Sequence, residues 1–514
     1  MKRFVVYVCL CCLFVGGGMS FAQDKDLGTG KAGGPGAGQK VEKPSIVQVP
    51  PIALRSEEKT LLNDLRTARK AGDSETAREL QVTLDALHGM TSRISLPEED
   101  EHQQQAGLVT DRVESKDLRK WATGDVRINS SSIDVREPSM VSTPAGVLYV
   151  AVQNNTNGQV YIYRSTDGGQ SWTYWFWLTT GGTTSRHPSI AYAEKSSTEK
   201  FVYVAMEGTT SSSKWVDVFR INTVGEAWIA ETVATTSITT NDIYPEICTD
   251  YPDFTILHYV YVTYALKSVD YYPVYFSRST DFGNTWSTPT NITGGSENSS
   301  WEARPDITYG TSNGDLFVVF EKPALSEIRN WVTQSTNSGN SWGTPVSLSS
   351  GGSGKEYHPR VSAAFGNNSV LVAYTRDFQN SGDLDINYAY TTNGGTSWSK
   401  GWGLSTSSTS DEDGVELSRS DSLGNFHAAF TRYPEYDVRY TQIPTSFSSG
   451  WTTLVTVNEE ASASTGYPRP AVCANPTKPE AQEAGIAWTD FRDTYYDVFF
   501  DSGYLSDSYL LWTK

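Results

Sequence analysis

A chain of 514 residues is long enough for a large core or several domains. Its 43 Gly, 28 Tyr, 19 Phe and 15 Trp, set among tracts of Ser and Thr, speak for many short strands joined by turns and against a helical enzyme core. With 59 acidic and 41 basic residues the formal net charge is −18, which argues against a nucleic-acid partner, because a phosphate backbone is held by clustered Lys and Arg.

Residues 1–22 have the form of a signal peptide, with Lys2 and Arg3 at the charged start, an apolar run from Phe4 to Val15, and small residues around Ala22 for cleavage. The chain is therefore expected to be secreted or periplasmic. Cys9, Cys11 and Cys12 fall inside this segment, so the mature chain keeps Cys248 and Cys473. No later run approaches the roughly eighteen apolar residues of a membrane span, and none is expected. Residues 23–55 are rich in Gly, Pro and Lys and read as a linker. Over 56–90, Leu61, Leu65 and Ala68, then Ala77, Leu80, Leu84 and Leu87, recur at three and four, which predicts a short helical hairpin broken at Gly72 and ended at Gly89. Residues 91–117 form a second, acidic linker.

From 118 to 514 the chain repeats itself. Four segments share a pattern of Ser or Thr, then Asp or Asn two residues on, a Gly, and a closing Trp: Ser165–Asp167–Gly169–Trp172, Ser279–Asp281–Gly283–Trp286, Ser335–Asn337–Gly339–Trp342 and Thr391–Asn393–Gly395–Trp398. Weaker copies end at Trp228 and Trp451, and with Trp121 the tryptophans recur every 51 to 58 residues. A second signal keeps the same beat, since Pro138, Pro188, Pro245, Pro305, Pro359, Val415 and Pro468 each open a short apolar strand. A period of this length means supersecondary units that stack on one another. Seven starts predict an all-β, seven-bladed β-propeller of four-stranded blades, with strands A to D numbered from the axis outward. The last unit runs out of sequence after strand C, so residues 121–130 are expected to supply its strand D, with the tail 502–514 as the rival. Cys248 and Cys473 then lie on opposite sides of the channel, beyond the ~7 Å that a disulfide allows between Cα atoms, and are expected to be free.

The four segments resemble the Asp-box repeat of bacterial neuraminidases, and the resemblance covers about residues 121–510. It implies a propeller in which each box is a turn between strands C and D, on the face opposite the active site; a six-bladed, sialidase-like ring is the alternative. The residue chemistry agrees with a turn: Ser and Asp accept from backbone N–H groups, Gly supplies positive φ, and Trp buries against the sheet. Asp167 and Asp281 are replaced by Asn337 and Asn393, which a turn tolerates and an acid or base does not.

The opposite, top face then holds the chemistry. Its candidates enter strand A or leave strand B: Arg136, Arg186 and His187, Tyr244, Glu302 and Arg304, His358, Arg376 and Asp377, Arg432, Asp490 and Arg492. A mouth that mixes guanidinium and carboxylate groups suits a carboxylated or hydroxylated sugar. Sialidases, which the resemblance brings in, hold a carboxylate with three Arg and attack with a Tyr activated by a Glu. Arg136, Arg304, Tyr244, Glu302 and Asp377 are the residues here that such a site would draw on, while Arg186, His187, His358, Arg376, Arg432, Asp490 and Arg492 would line a binding face. The expected function is non-catalytic binding of an extracellular glycan or protein by a monomer, with a sialidase-like glycoside hydrolase as the alternative. No cofactor and no metal is expected: Asp411-Glu412-Asp413 lacks the spacing of a calcium loop, and His187 and His358 stand on different blades.

Overall fold

The computed structural model describes residues 124–504, apart from 131, 238–241, 251–258, 267–272, 294–302, 311–313, 325–326, 350–352, 406–409, 420–423, 453, 460–468, 475–482 and 493–494. All belong to one compact unit, Glu58–Lys514; the other unit, Met1–Glu57, the helical hairpin expected over 56–90, Trp121 and Glu302 lie outside the described residues.

Twenty-eight strands, β1 to β28, form seven four-stranded antiparallel sheets among the described residues. Blades 1 to 6 take residues 135–178, 184–236, 246–291, 306–347, 354–405 and 411–456. Blade 7 takes three strands from 471–504, and its outermost place is filled by β1 (Val126–Arg127), which pairs with β28 (Asp497–Tyr504) through Val126–Phe500 and Arg127–Phe499. The N-terminal segment thus closes the ring. Both cysteines are free.

Seven hydrophobic clusters fill the seven gaps between blades. One joins Val150 and Val152 of blade 1 to Ala487, Val498 and Phe500 of blade 7, and another joins Val318 and Phe320 of blade 4 to Tyr261 and Phe276 of blade 3. Among the described residues no blade has a core of its own. Strand A of each blade leaves one edge toward the channel and its neighbours, where backbone N–H groups have no ladder partner. Side chains of the preceding blade accept them instead: Ser139 Oγ from Ile190 (3.2 Å), Ser189 Oγ from Ile247 (3.1 Å), Asp306 Oδ2 from Val361 (2.7 Å) and Ser418 Oγ from Ala474 (2.8 Å).

The four predicted turns join strands C and D and share one hydrogen-bond set. In the first, Ser165 Oγ accepts from the Gly169 N–H (2.8 Å), while Asp167 accepts from the Ser171 N–H (3.0 Å) and hydroxyl (2.5 Å). Asn337 and Asn393 accept from Ser341 and Ser397 N–H in the same way and donate to the hydroxyls they face, so the substitution of Asp by Asn keeps the turn. The Gly lies against an aromatic ring of the preceding blade, and the Trp packs on the same ring: Trp172 on Phe500 (5.1 Å), Trp342 on Phe276 (4.9 Å), Trp398 on Phe317 (6.3 Å). Each turn therefore stitches its blade to the one before.

Blade 2 departs from this. Trp175, from strand D of blade 1, packs on Tyr149 at 4.9 Å and donates to Glu226 Oε1 (3.0 Å) in the degenerate turn of blade 2. Trp228 begins strand D of blade 2 but is 54% exposed and touches Phe219 of its own blade. It shares the sequence position of the other tryptophans and not their packing.

Adjacent glycines in the first turn separate two costs. Gly168 (φ +74°) has open space where a Cβ would go, whereas a Cβ on Gly169 (φ +94°) would fall 1.9 Å from the Phe500 ring. Gly168→Ala should cost only the left-handed strain, about 1 kcal/mol, and Gly169→Ala about 2–4 kcal/mol, measured by denaturant unfolding of the two variants.

Candidate functional site

At the top end of the sheets, strand A opens with the same irregularity in blade after blade. Pairing with strand B skips from Arg136–Gln153 to Ser139–Ala151 in blade 1, from Arg186–Glu207 to Ser189–Ala205 in blade 2, from Tyr357–Thr375 to Arg360–Ala373 in blade 5 and from Asp413–Thr431 to Glu416–Ala429 in blade 6. The residue thrown out by the bulge precedes a proline and holds positive φ: Glu137 (+52°), His187 (+51°) and His358 (+51°); Tyr244 (+48°), just ahead of strand A in blade 3, also precedes a proline and shares that conformation. Gly414 (+68°) takes that place in blade 6. Each non-glycine residue held this way costs about 1–3 kcal/mol, and the preceding blade maintains it. Thr489, Gln153 and Glu321 accept the N–H groups of Glu137 (3.2 Å), His187 (3.4 Å) and His358 (2.7 Å), and Glu207 accepts that of Ile243 (2.6 Å).

The projecting side chains meet in an arc around the mouth. His187 Nδ1 lies 2.7 Å from Glu137 Oε2, and its Nε2 lies 3.2 Å from Asp242 Oδ2. The imidazole ring packs on Tyr244, centroids 4.4 Å apart. Arg304 Nη2 donates to Tyr244 Oη (3.1 Å), its guanidinium lies 4.6 Å over the Tyr244 ring, and its Nη1 reaches His358 Nε2 (2.7 Å). His358 Nδ1 in turn lies 3.1 Å from Asp413 Oδ1, which also accepts from Thr375 (2.7 Å) and Gly414 (2.7 Å). Two histidines, each backed by a carboxylate, thus flank a Tyr–Arg pair, with blades 1 to 6 all contributing.

Charge is heavily matched behind this arc. Lys214, almost fully buried, places Nζ 2.8 Å from Glu207 and 2.6 Å from Asp242, and Arg186 reaches the same two carboxylates at 3.3 and 3.0 Å. His187, Glu207 and Asp242 lie within 4.8 Å of one another, as metal ligands would. The Lys214 ammonium already stands between the two acids, so a cation there would have to displace it. Burial alone would lower the His187 pKa, yet the charge of Glu137 and the hydrogen bonds that the ring donates to Asp242 and Glu137 outweigh it and raise the imidazole to about 10. Burial likewise works against ionised Asp242, and the His187 hydrogen bond with the charges of His187, Arg186 and Lys214 holds it well below the usual carboxylate range. His187 is thus an imidazolium at neutral pH.

One step down the channel lies a charged collar. Glu246, Asp306, Arg360 and Glu416 are each the second residue after the mouth position of their blade. Arg360 lies 3.6 Å from Glu246 and 3.1 Å from Glu416, and Arg469 of blade 7 joins the same two acids at 3.0 and 2.6 Å. Burial pushes Asp306 up to about 7; Arg360 opposes this, and Glu246 and Glu416 add to it. Below the collar the channel is a cavity of about 240 Å³, lined by strand A of every blade.

Of the sequence-derived candidates, Arg186, His187, Tyr244, Arg304 and His358 come together here. Arg136 instead pairs with Asp134 (2.8 Å) and lies on the Tyr496 ring (3.9 Å). Arg376 is buried and lies over Phe378, and Asp377 accepts from Gly382 within its own turn (2.9 Å). Arg432 faces Glu412 (3.6 Å), and Arg492 ties Asp490 (2.5 Å) to Asp125 (2.7 Å). Asp242, Lys214 and Arg469 are site residues that the candidate set omitted. Glu137 and Arg469 stand directly before a proline, as His187, Tyr244, Arg304 and His358 do, and that shared signal was available; Asp242 and Lys214 carry no repeated pattern.

No protein-family model matches the chain, and no curated protein matches it. Solved structures do. One is a protein of unknown function from Dyadobacter fermentans (13% identity, 74% of this chain and 98% of that one, TM-score 0.47). A second is an ulvan lyase of polysaccharide lyase family PL25 (10%, 76% and 96%, TM-score 0.48). A third is an α-L-arabinanase from Penicillium chrysogenum (11%, 76% and 99%, TM-score 0.45). At these identities the likeness is one of fold, the β-propeller, and no function follows from it.

The raised His187 pKa has a definite sign. A group whose folded pKa lies above its ordinary value of 6.5 stabilises the fold fully below that value and loses the contribution as pH rises through about 10. The stability gap between wild type and His187→Gln should therefore be widest near about pH 6 and close as pH rises through 10, read from melting temperatures across that range.

Proposed function

We propose that the mouth binds an acidic extracellular polysaccharide at a uronate unit and cleaves the chain there by β-elimination. The observation that supports this is the Tyr244–Arg304 pair, whose Oη–Nη2 contact is 3.1 Å and which stands against the His187 imidazolium. In elimination, a base removes the proton on the carbon next to the carboxylate, a carbon–carbon double bond forms, and the glycosidic oxygen leaves and takes up the proton. That chemistry needs positive charge at the carboxylate and one oxygen that accepts and returns a proton. Arg304 supplies the first, and Tyr244 Oη, 3.1 Å from the Arg304 guanidinium, supplies the second. His358, backed by Asp413, orients Arg304. This reading goes beyond the non-catalytic binding expected from the sequence, because a plain binding mouth does not need a phenol locked between cations at a strained backbone position.

Sialidase-type hydrolysis fits less well. Of the six arginines in the candidate set, Arg136, Arg376, Arg432 and Arg492 are engaged elsewhere, so a three-guanidinium clamp is not assembled among the described residues. Hydrolysis by a carboxylate pair also needs two acids facing the sugar, and Glu137, Asp242 and Asp413 each face a histidine. We further read the four stitched turns as Asp boxes, residues 1–22 as an export signal, and the protein as a secreted or periplasmic monomer.

The test is incubation with uronate polysaccharides while following the ultraviolet absorbance of the unsaturated uronate product. Absorbance should rise with wild type. Tyr244→Phe should lower kcat at least about a hundredfold with little change in KM, and Arg304→Ala should raise KM and lower kcat. Binding without absorbance returns the protein to the non-catalytic reading, and release of fluorophore from a fluorogenic sialoside, lost in Arg304→Ala, supports the hydrolase instead.

A further inference from the structure

Beside the exposed Trp228 lies a groove on the face opposite the mouth. The groove holds about 270 Å³, near the lower end of small-ligand sites, which start at about 300 Å³, and enough for one sugar ring. It runs between blades 2 and 3, walled by Trp228, Phe201 and Phe282, and offers Lys195, Arg220 and Asn222. Where the other turns bury their indole on the neighbouring blade, this one presents it to solvent, because Trp175 already covers Tyr149. The cations are positioned by aromatic rings: Lys195 Nζ lies 4.8 Å over Phe282, and the Arg220 guanidinium lies 4.9 Å over Phe201 while donating to the Phe282 carbonyl (2.9 Å). Glu199, 2.9 Å from Lys195, is the one acid lining the groove, so the groove is net positive in a chain whose formal net charge is −18.

We infer that this groove is a second saccharide site, which holds one acidic sugar unit of a polysaccharide. The C–H face of a pyranose lies on the exposed Trp228 indole, the carboxylate faces Lys195 and Arg220, and hydroxyls reach the Asn222 and Asn284 side chains. An indole is suited to this role because it offers a large apolar plane and loses little conformational freedom on binding. The charge complementarity chooses an acidic sugar over a neutral one. The site stands on its own residues and does not require that the mouth be catalytic. If the mouth takes the same polymer, the two sites hold one long chain or two, and retention rises through effective concentration.

The experiment is affinity electrophoresis through gels containing polygalacturonate, or the neutral polymer hydroxyethylcellulose as control, with the full chain. The variants are Trp228→Ala, Lys195→Gln, Trp177→Ala and, to remove the mouth, Arg304→Ala. Trp177 is as exposed as Trp228, at 52%, but lies outside the groove, on strand D of blade 1. Trp228→Ala should weaken retention by polygalacturonate at least about tenfold, Lys195→Gln should weaken it less, and Trp177→Ala should leave it unchanged. The same loss should appear in the Arg304→Ala background, which separates the groove from the mouth. Equal retention of wild type and Trp228→Ala, an equal loss in Trp177→Ala, or undiminished retention by the neutral polymer would overturn the inference whatever the mouth does. Because Trp228 is exposed, unfolding is not expected to confound the variant, and an unchanged melting temperature checks this.

Discussion

The structure depends on the unsatisfied edge of its innermost strands. A four-stranded blade has two edges, and in a ring the inner one faces a channel too narrow for another strand. Here the N–H groups along that edge are taken up by Ser139, Ser189, Asp306 and Ser418 of the preceding blade. This solution forces each blade to be placed by its predecessor, and the hydrophobic clusters, every one shared by two blades, enforce the same order. The ring is therefore cooperative, and its closure by β1 completes the last shared interface, the cluster that spans blades 7 and 1.

The mouth follows from the same constraint. Where strand A enters, its pairing with strand B is interrupted by a bulge that turns one residue into the left-handed region. Such a residue cannot pair within its own blade, so its N–H is taken by the preceding blade and its side chain is thrown toward the axis. The device recurs around the ring, with positive φ at Glu137, His187, Tyr244, His358 and Gly414, and the site is built on these positions and on Arg304, which precedes its blade's proline in the same way. The strain is borne by the scaffold, so the side chains are held in place before any ligand arrives.

Much of this was legible in the sequence because period and turn chemistry are local. The tryptophan spacing and the strand-opening prolines give seven blades, and the missing strand D of the last unit gives the closure by the segment around Val126. His187, Tyr244, Arg304 and His358 were legible as neighbours of those prolines. The partners that make them a site were not. Asp242 and Lys214 sit outside the repeated pattern, and the ion pairs that bind Arg136, Arg432 and Arg492 away from the mouth are contacts between residues two or more positions apart whose directions only the fold decides. The exposure of Trp228 was hidden for a similar reason: its sequence position is regular, and it is Trp175, a residue of another blade, that excludes it from the usual packing.

The electrostatics of the mouth are best understood by counting which charges are free to change. Lys214 and Arg186 hold Glu207 and Asp242, and Glu137 and Asp242 hold His187 as a cation through neutral pH, so that side of the arc has a fixed charge state. The collar below is different, because Asp306 is raised to about 7 among Glu246, Glu416 and Arg360 and changes charge near neutrality. Its folded pKa lies above the ordinary carboxylate value, so ionising it costs stability as pH rises, and the ring tolerates this because Asp306 also accepts the Val361 N–H that joins blades 4 and 5. A residue retained for the seam thus leaves a titrating group directly beneath the site.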